Sequence, residues 1–184
     1  MAHPDLLHQA DYEAIAKQVA YMAPTVITDT DLPERKGQLG TPLSVWLLHL
    51  QDSEAGTGNF RDIVRRTDLW HTQVYIDGEA RLFARSRRAN DKQSEWSVVQ
   101  VWDGDIAPTL ESGLRLVAAN EGDPLVRLLD VPAYQTTALW LVEGDIDTIV
   151  VTTMPKSYRH LELLTPYHAV KFLSTIRLEN PRLG

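Results

Sequence analysis

The chain of 184 residues contains no cysteine. This absence excludes disulfide bonds, thiolate zinc sites, iron–sulfur clusters and cysteine nucleophiles. Long apolar runs are also missing, because the longest, from Leu43 to Leu50, is interrupted by Ser44 and His49 and falls well short of the roughly 20 residues of a membrane helix. The N-terminal residues lack the basic start and apolar stretch of a secretory signal, so we expect a soluble, cytoplasmic protein without a membrane segment.

Motifs of common catalytic and metal sites are absent as well. The six histidines show no zinc-ligand spacing, and neither a Gly-x-Ser-x-Gly elbow nor a complete glycine-rich phosphate loop occurs. Two acidic pairs, Asp103 with Asp105 and Asp145 with Asp147, each follow a predicted strand, a position where Asp is typical of turns. We therefore predict no metal site and no cofactor, and the sequence leaves open whether the protein is an enzyme.

The overall composition is that of an ordinary globular protein. Hydrophobic residues make up 43% and charged residues 23% of the sequence, so residues 1–184 can form a single domain with a buried core. Apolar spacing and border prolines predict helices over 4–22, 108–118 and 166–178, and favour a fourth over 42–50. Apolar runs between turn residues predict strands over 70–76, 80–87, 95–102, 136–143 and 146–153.

These elements predict an α+β fold. We expect an antiparallel sheet of about five or six strands built from two hairpins, with the helices packed mainly on one face and the strand over 95–102 at its centre. Several strands are apolar on both sides, and helices on one face would leave the other face uncovered. A second copy of the chain could cover it, so we hypothesise a homodimer.

Positive charge is concentrated in one segment. Residues 61–92 carry eight of the eighteen Lys and Arg but only five of the twenty-five Asp and Glu, so the segment is +3 while the remainder is −10. The net charge of −7 argues against nonspecific attraction to nucleic acid or anionic lipid. The basic segment is the one sequence feature that points to a partner.

The first hairpin, around Asp77-Gly78, carries most of this positive charge. A two-residue loop would pair Val74 with Arg81 and mix apolar and charged side chains on one face. A loop of odd length would instead pair Ile76 with Ala80 and Val74 with Leu82, which gives two consistent faces. We therefore predict the odd-length loop.

The resulting polar face is the candidate site. It would present the binding residues His71, Tyr75, Arg81, Phe83, Arg85 and Arg87. Arginine binds carboxylate or phosphate with two parallel hydrogen bonds and stacks on flat groups, which favours an anionic partner. A solvated strand whose charges prevent edge-to-edge aggregation would have the same composition, so both interpretations remain open.

The sequence favours a non-enzymatic binding or regulatory protein, of the adaptor or inhibitor type, that binds a protein partner through this basic aromatic face. The alternative is a small ligand-binding domain or enzyme with a pocket for an anionic small molecule, in which His71, Tyr75 and an arginine would orient the ligand.

Overall fold

The protein is described by a computed structural model that covers residues 3–5, 7–26, 38–50, 59–88, 96–103, 106–120 and 122–179. The helices within these ranges are α1 (Gln9–Val26), α2 (Phe60–Ile63), α3 (Ile106–Ala118) and α4 (Ala169–Glu179). The strands are β1 (His3–Pro4), β2 (Gln38–Leu39), β3 (Leu43–Leu48), β4 (Val64–Ile76), β5 (Glu79–Arg88), β6 (Trp96–Asp103), β7 (Leu125–Val131), β8 (Thr136–Glu143), β9 (Ile146–Thr153) and β10 (Pro166–His168). No helix of the described ranges is long and apolar enough to cross a membrane.

The sheet is mixed and larger than predicted. Eight strands lie side by side in the order β10-β9-β8-β7-β3-β4-β5-β6, while β1 pairs with β7 and β2 with β4. Since β3 runs parallel to β7, with Val45 opposite Leu128, the predicted antiparallel sheet of five or six strands is wrong. Parallel strands are joined by long connections, so no local hairpin pattern could reveal this pair.

Several predicted elements have different bounds or types. The run favoured as a helix forms β3 instead, because a short apolar segment inside a sheet is buried on both faces and loses its periodicity. Helix α1 begins at Gln9 and continues past Pro24, and α4 begins at Ala169 because residues 166–168 form β10. Strand β6 is the last strand of the order and not a central one. The predicted hairpin of β8 and β9 is confirmed with the same bounds.

The fold divides into two compact units. One comprises Met1–His3, Val45–Thr67 and Thr109–Gly184, and the other comprises Pro4–Ser44 and Asp68–Pro108. The expectation of a single domain stays a prediction.

In the first unit, helices cover both faces of the β8–β9 hairpin. Helix α4 contributes Phe172 and Ile176 to a core that includes Trp140. On the opposite face, α3 approaches so closely that a Cβ on Gly113 would lie 3.2 Å from Leu139 Cδ1. The expectation that the helices lie mainly on one face is therefore wrong, and the reason for invoking a second copy does not apply to this hairpin.

In the second unit, α1 packs on one face of β4, β5 and β6. Ile15 and Val19 of α1 are buried in a shared cluster with Trp70, Leu82 and Trp96 of the three strands. Two polar contacts fix the helix: Asp11 accepts from Trp96 Nε1 at 2.8 Å and from Arg88 Nη2 at 2.6 Å. The helix thereby covers this face of the three strands and leaves the candidate face on their opposite side.

A buried carboxylate of the first unit gives a stability test. Asp147 accepts from the Nε1 of Trp140, which is 1% exposed, at 2.8 Å and from Arg61 Nε at 2.9 Å. Asp147→Ala leaves the indole N–H buried without its acceptor, which should cost about 2 kcal/mol of unfolding free energy in urea titrations. Asp145→Ala, in the exposed turn of the same hairpin, is the control and should stay within about 0.5 kcal/mol of wild type. An equal loss of unfolding free energy in Asp147→Ala and Asp145→Ala would contradict a stabilising role for the hydrogen bond between Trp140 and Asp147.

Candidate functional site

The hairpin of β4 and β5 turns at Asp77-Gly78, whose φ angles are +53° and +81°. Ile76 pairs with Glu79, so the loop has two residues; the predicted odd-length loop and the predicted pair of Ile76 with Ala80 are wrong. A two-residue turn with positive φ at both positions matches the twist of the strands it joins, and glycine adopts that φ without steric cost.

A β-bulge near the turn shifts the register of β5 against β4 by one residue. Tyr75 pairs with Ala80, whereas the preceding residue of β4, Val74, pairs with Leu82, which leaves Arg81 as the extra residue. The predicted pair of Val74 with Leu82 is therefore confirmed, although the bulge and not the loop produces it. Without the extra residue Val74 would lie opposite Arg81, and apolar and charged side chains would share a face.

The bulge separates two faces of the hairpin. Trp70, Val74 and Leu82 belong to the core under α1. We call the opposite side the arginine face; its cross-strand rows consist of Leu69, His71, Gln73, Phe83, Arg85, Arg87, Ser97, Gln100 and Trp102. Four of the six predicted site residues, His71, Phe83, Arg85 and Arg87, lie in these rows.

Tyr75 and Arg81 lie at the hairpin end, outside these rows. The Tyr75 hydroxyl donates to Gln73 Oε1 at 3.2 Å, and its ring is packed so close to Gly40 that a Cβ there would lie 2.9 Å from Cε2. Arg81 is exposed at the bulge, with Glu79 at 3.8 Å, a distance typical of weak surface ion pairs. Tyr75 therefore has a packing role, and Arg81 is separated from the other two arginines of the site.

An aromatic row crosses the arginine face from β4 to β6. The His71 and Phe83 rings stack with centroids 4.9 Å apart, and the Phe83 and Trp102 centroids are 5.5 Å apart. Burial changes along the row: His71 is 1% exposed, whereas Trp102 is 49% exposed. The closed end is fixed further by buried Gln73, whose Nε2 donates to the Ala107 carbonyl at 2.8 Å. The row thus forms a rigid base with one open aromatic end.

Trp102 is the site residue that the sequence did not identify. Its strand is apolar on both sides through Trp96, Val98, Val99, Val101 and Trp102, a pattern that we interpreted as a central position in the sheet. In the structure Val99 is the extra residue of a second bulge, between the rows of Arg85 with Gln100 and Ser86 with Val98. The bulge shifts the alternation and places Trp102 opposite Phe83. The adjacent pair Val98-Val99, followed by polar Gln100, is the signal that could have indicated the bulge.

His71 lies in an unusual environment for a histidine. Both ring nitrogens are buried, and neither has a hydrogen-bond partner among the residues that the structure describes. Burial, together with the positive charge of Arg85, lowers the pKa of His71 from 6.5 to about 3. The imidazole is therefore neutral at physiological pH and acts as a flat, uncharged support beneath Phe83.

The open end combines three groups suited to recognition. Arg85 is half-buried in the row of His71 and Gln100, Arg87 is exposed in the row of Ser97, and the Trp102 indole is half exposed. Guanidinium groups bind carboxylate or phosphate, while the indole supplies apolar contact area. Across the described ranges, no cluster of three His, Asp or Glu side chains could hold a metal ion. The arrangement is suited to binding a group that is anionic and partly apolar.

The buried histidine predicts a particular dependence of stability on pH. Below pH 6.5 the unfolded chain binds a proton at His71 that the folded protein does not take up until about pH 3, so stability falls as the pH falls through this window. The loss due to His71 should reach about 2 kcal/mol at pH 5, since one pKa unit corresponds to about 1.4 kcal/mol. His71→Leu should abolish this part of the slope and should be at least as stable as wild type at pH 7.5, because it removes two unpaired buried nitrogens.

Urea unfolding from pH 7.5 to pH 5 measures this slope. The exposed His49, replaced in His49→Gln, is the control and should keep the wild-type slope. Identical slopes for wild type and His71→Leu would contradict a buried, neutral His71.

No family model, curated protein or solved structure matches the chain.

Proposed function

We propose that the protein is a non-enzymatic binding protein that takes up an acidic segment of a protein partner on the arginine face, in an adaptor or inhibitor role. The observation that carries this proposal is the open end of the aromatic row, where half-exposed Trp102 lies beside the strand that presents Arg85 and Arg87. Tryptophan and arginine are the residues most enriched in the energetic centres of protein interfaces.

Preorganisation supports binding at this end. Phe83 is buried between His71 and Trp102, so the base of the site is ordered before any partner arrives. A preformed aromatic base reduces the entropy lost on association. Arg85 and Arg87 can then pair with carboxylates at the rim of the contact.

The charge distribution supports an acidic protein segment over a polyanion. The chain as a whole is −7, and its long-range field repels nucleic acid. A partner segment with a few carboxylates among apolar residues can contact the arginines and Trp102, and the net negative charge of the chain repels it less than it repels a polyanion. A cytoplasmic location without a cofactor, as expected from the sequence, belongs to the same proposal.

An anionic small molecule is the second candidate. It is favoured by His71, whose two unpartnered ring nitrogens are buried and whose cross-strand partner is Arg85. A carboxylate could pair with Arg85, whereas a hydroxyl could reach the His71 nitrogens only if the closed end of the row opened, because His71 is 1% exposed. Binding of such a ligand would be lost in His71→Phe, which removes both ring nitrogens, whereas the acidic-segment proposal requires only the flat stacking ring that Phe keeps.

Affinity capture from the source cell's lysate at low salt tests the leading proposal. The variants Arg85→Ser/Arg87→Ser and Trp102→Ser should each recover at least about tenfold less of an acidic partner than wild type, since contacts at such centres contribute more than about 1.4 kcal/mol. The control Lys156→Ser/Lys171→Ser removes the same charge from exposed positions and should recover the partner fully. Circular dichroism checks that each variant is folded. Equal recovery by wild type and both site variants would contradict the proposal.

A further inference from the structure

We propose that the outer edge of β6 binds the acidic segment as an added β-strand, so that main-chain hydrogen bonds and the arginine face act together. This inference rests on the proposed function and specifies the conformation of the partner, which would be extended and would carry carboxylates at alternate positions.

The first observation is that β6 ends the order of the sheet. It pairs with β5 from Arg88 opposite Trp96 to Leu82 opposite Asp103. No strand of the described residues pairs with its other edge. An edge strand presents N–H and C=O groups that can bind an extended peptide, and main-chain bonds of this kind are a recurring mode of peptide recognition.

The second observation is that β6 itself carries no lysine, arginine or proline. Natural edge strands carry lysine or proline or are very short. At the other end of the strand order, β10 has three residues and begins with Pro166. In contrast, β6 has eight residues without Lys, Arg or Pro. A β-bulge normally hinders the pairing of an edge strand with another chain. In β6, however, the extra residue of the bulge is the uncharged Val99.

The third observation is apolar exposure along the same strand. Val99 is 43% exposed and Trp102 is 49% exposed, although Trp96 and Val98 of this strand are buried under α1. Exposed valine and tryptophan beside an unpaired edge form a surface that an added strand would cover. The exposed apolar residues of β6, Val99 at the bulge and Trp102, therefore lie on the strand where we propose that the peptide binds.

Charge complementarity identifies the occupant. Arg85 and Arg87 lie in register with Gln100 and Ser97, which are uncharged. An added strand would lie about 9.6 Å from β5, two strand spacings of about 4.8 Å, a distance that an arginine and a glutamate side chain can bridge together. The sequence of β6 contains one acidic residue in eight, so an acidic partner complements this edge better than a second copy of the strand.

Labelled synthetic peptides test the inference. The probe is a ten-residue peptide of alternating Val and Glu. Two further peptides carry N-methyl groups on all Val or all Glu amides, which removes the donors of one edge and keeps the charge. Fluorescence anisotropy should show that the unmodified peptide binds wild type at least about tenfold more tightly than Arg85→Ser/Arg87→Ser. At least one N-methylated peptide should bind at least about tenfold more weakly. Hydrogen exchange should show new protection at amides of β6.

The outcomes separate the two proposals. If all three peptides bind equally and still require the arginines, the added strand is excluded while the arginine face remains a binding site. If no peptide binds wild type more tightly than the arginine variant, both proposals fail. If β6 is protected without peptide because the protein sediments as a dimer that Trp102→Ser dissociates, a second copy occupies the edge and the inference is overturned.

Discussion

The register of the β4–β5 hairpin is the constraint on which the candidate site depends. The two-residue turn at Asp77-Gly78 would place Val74 opposite Arg81, and the single extra residue at the bulge moves Leu82 into that position. Because side chains alternate with a period of two, this one residue decides which side chains lie under α1 and which lie on the arginine face. The aromatic row, the buried histidine and the position of both rim arginines follow from that choice.

The two faces of the hairpin are stabilised by different interactions. Under α1, apolar packing is completed by Asp11, which binds both Trp96 and Arg88. On the arginine face, the His71 and Phe83 rings are stacked and buried, whereas Trp102 at the other end of the aromatic row remains half exposed.

The sequence predicted those elements whose signals are local. The β8–β9 hairpin was predicted with its bounds because the apolar runs 138–142 and 149–151 lie on either side of the turn residues Gly144-Asp145. The type of β3 and its parallel pairing with β7 could not be predicted, because they depend on contacts between distant parts of the chain. His71, Phe83, Arg85 and Arg87 were predicted to share a face, and the structure places them in adjacent rows. Trp102 was not identified, because a bulge at Val99 reverses the alternation of β6.

The most direct test of binding at the arginine face is to map it residue by residue. Backbone amide shifts of the ¹⁵N-labelled protein would be recorded during a titration with a short polyglutamate peptide. The account predicts that the shifts concentrate at Phe83, Arg85, Arg87 and the residues of β6, together with the Trp102 indole N–H. Shifts centred on other surfaces, or none at saturating peptide, would contradict it.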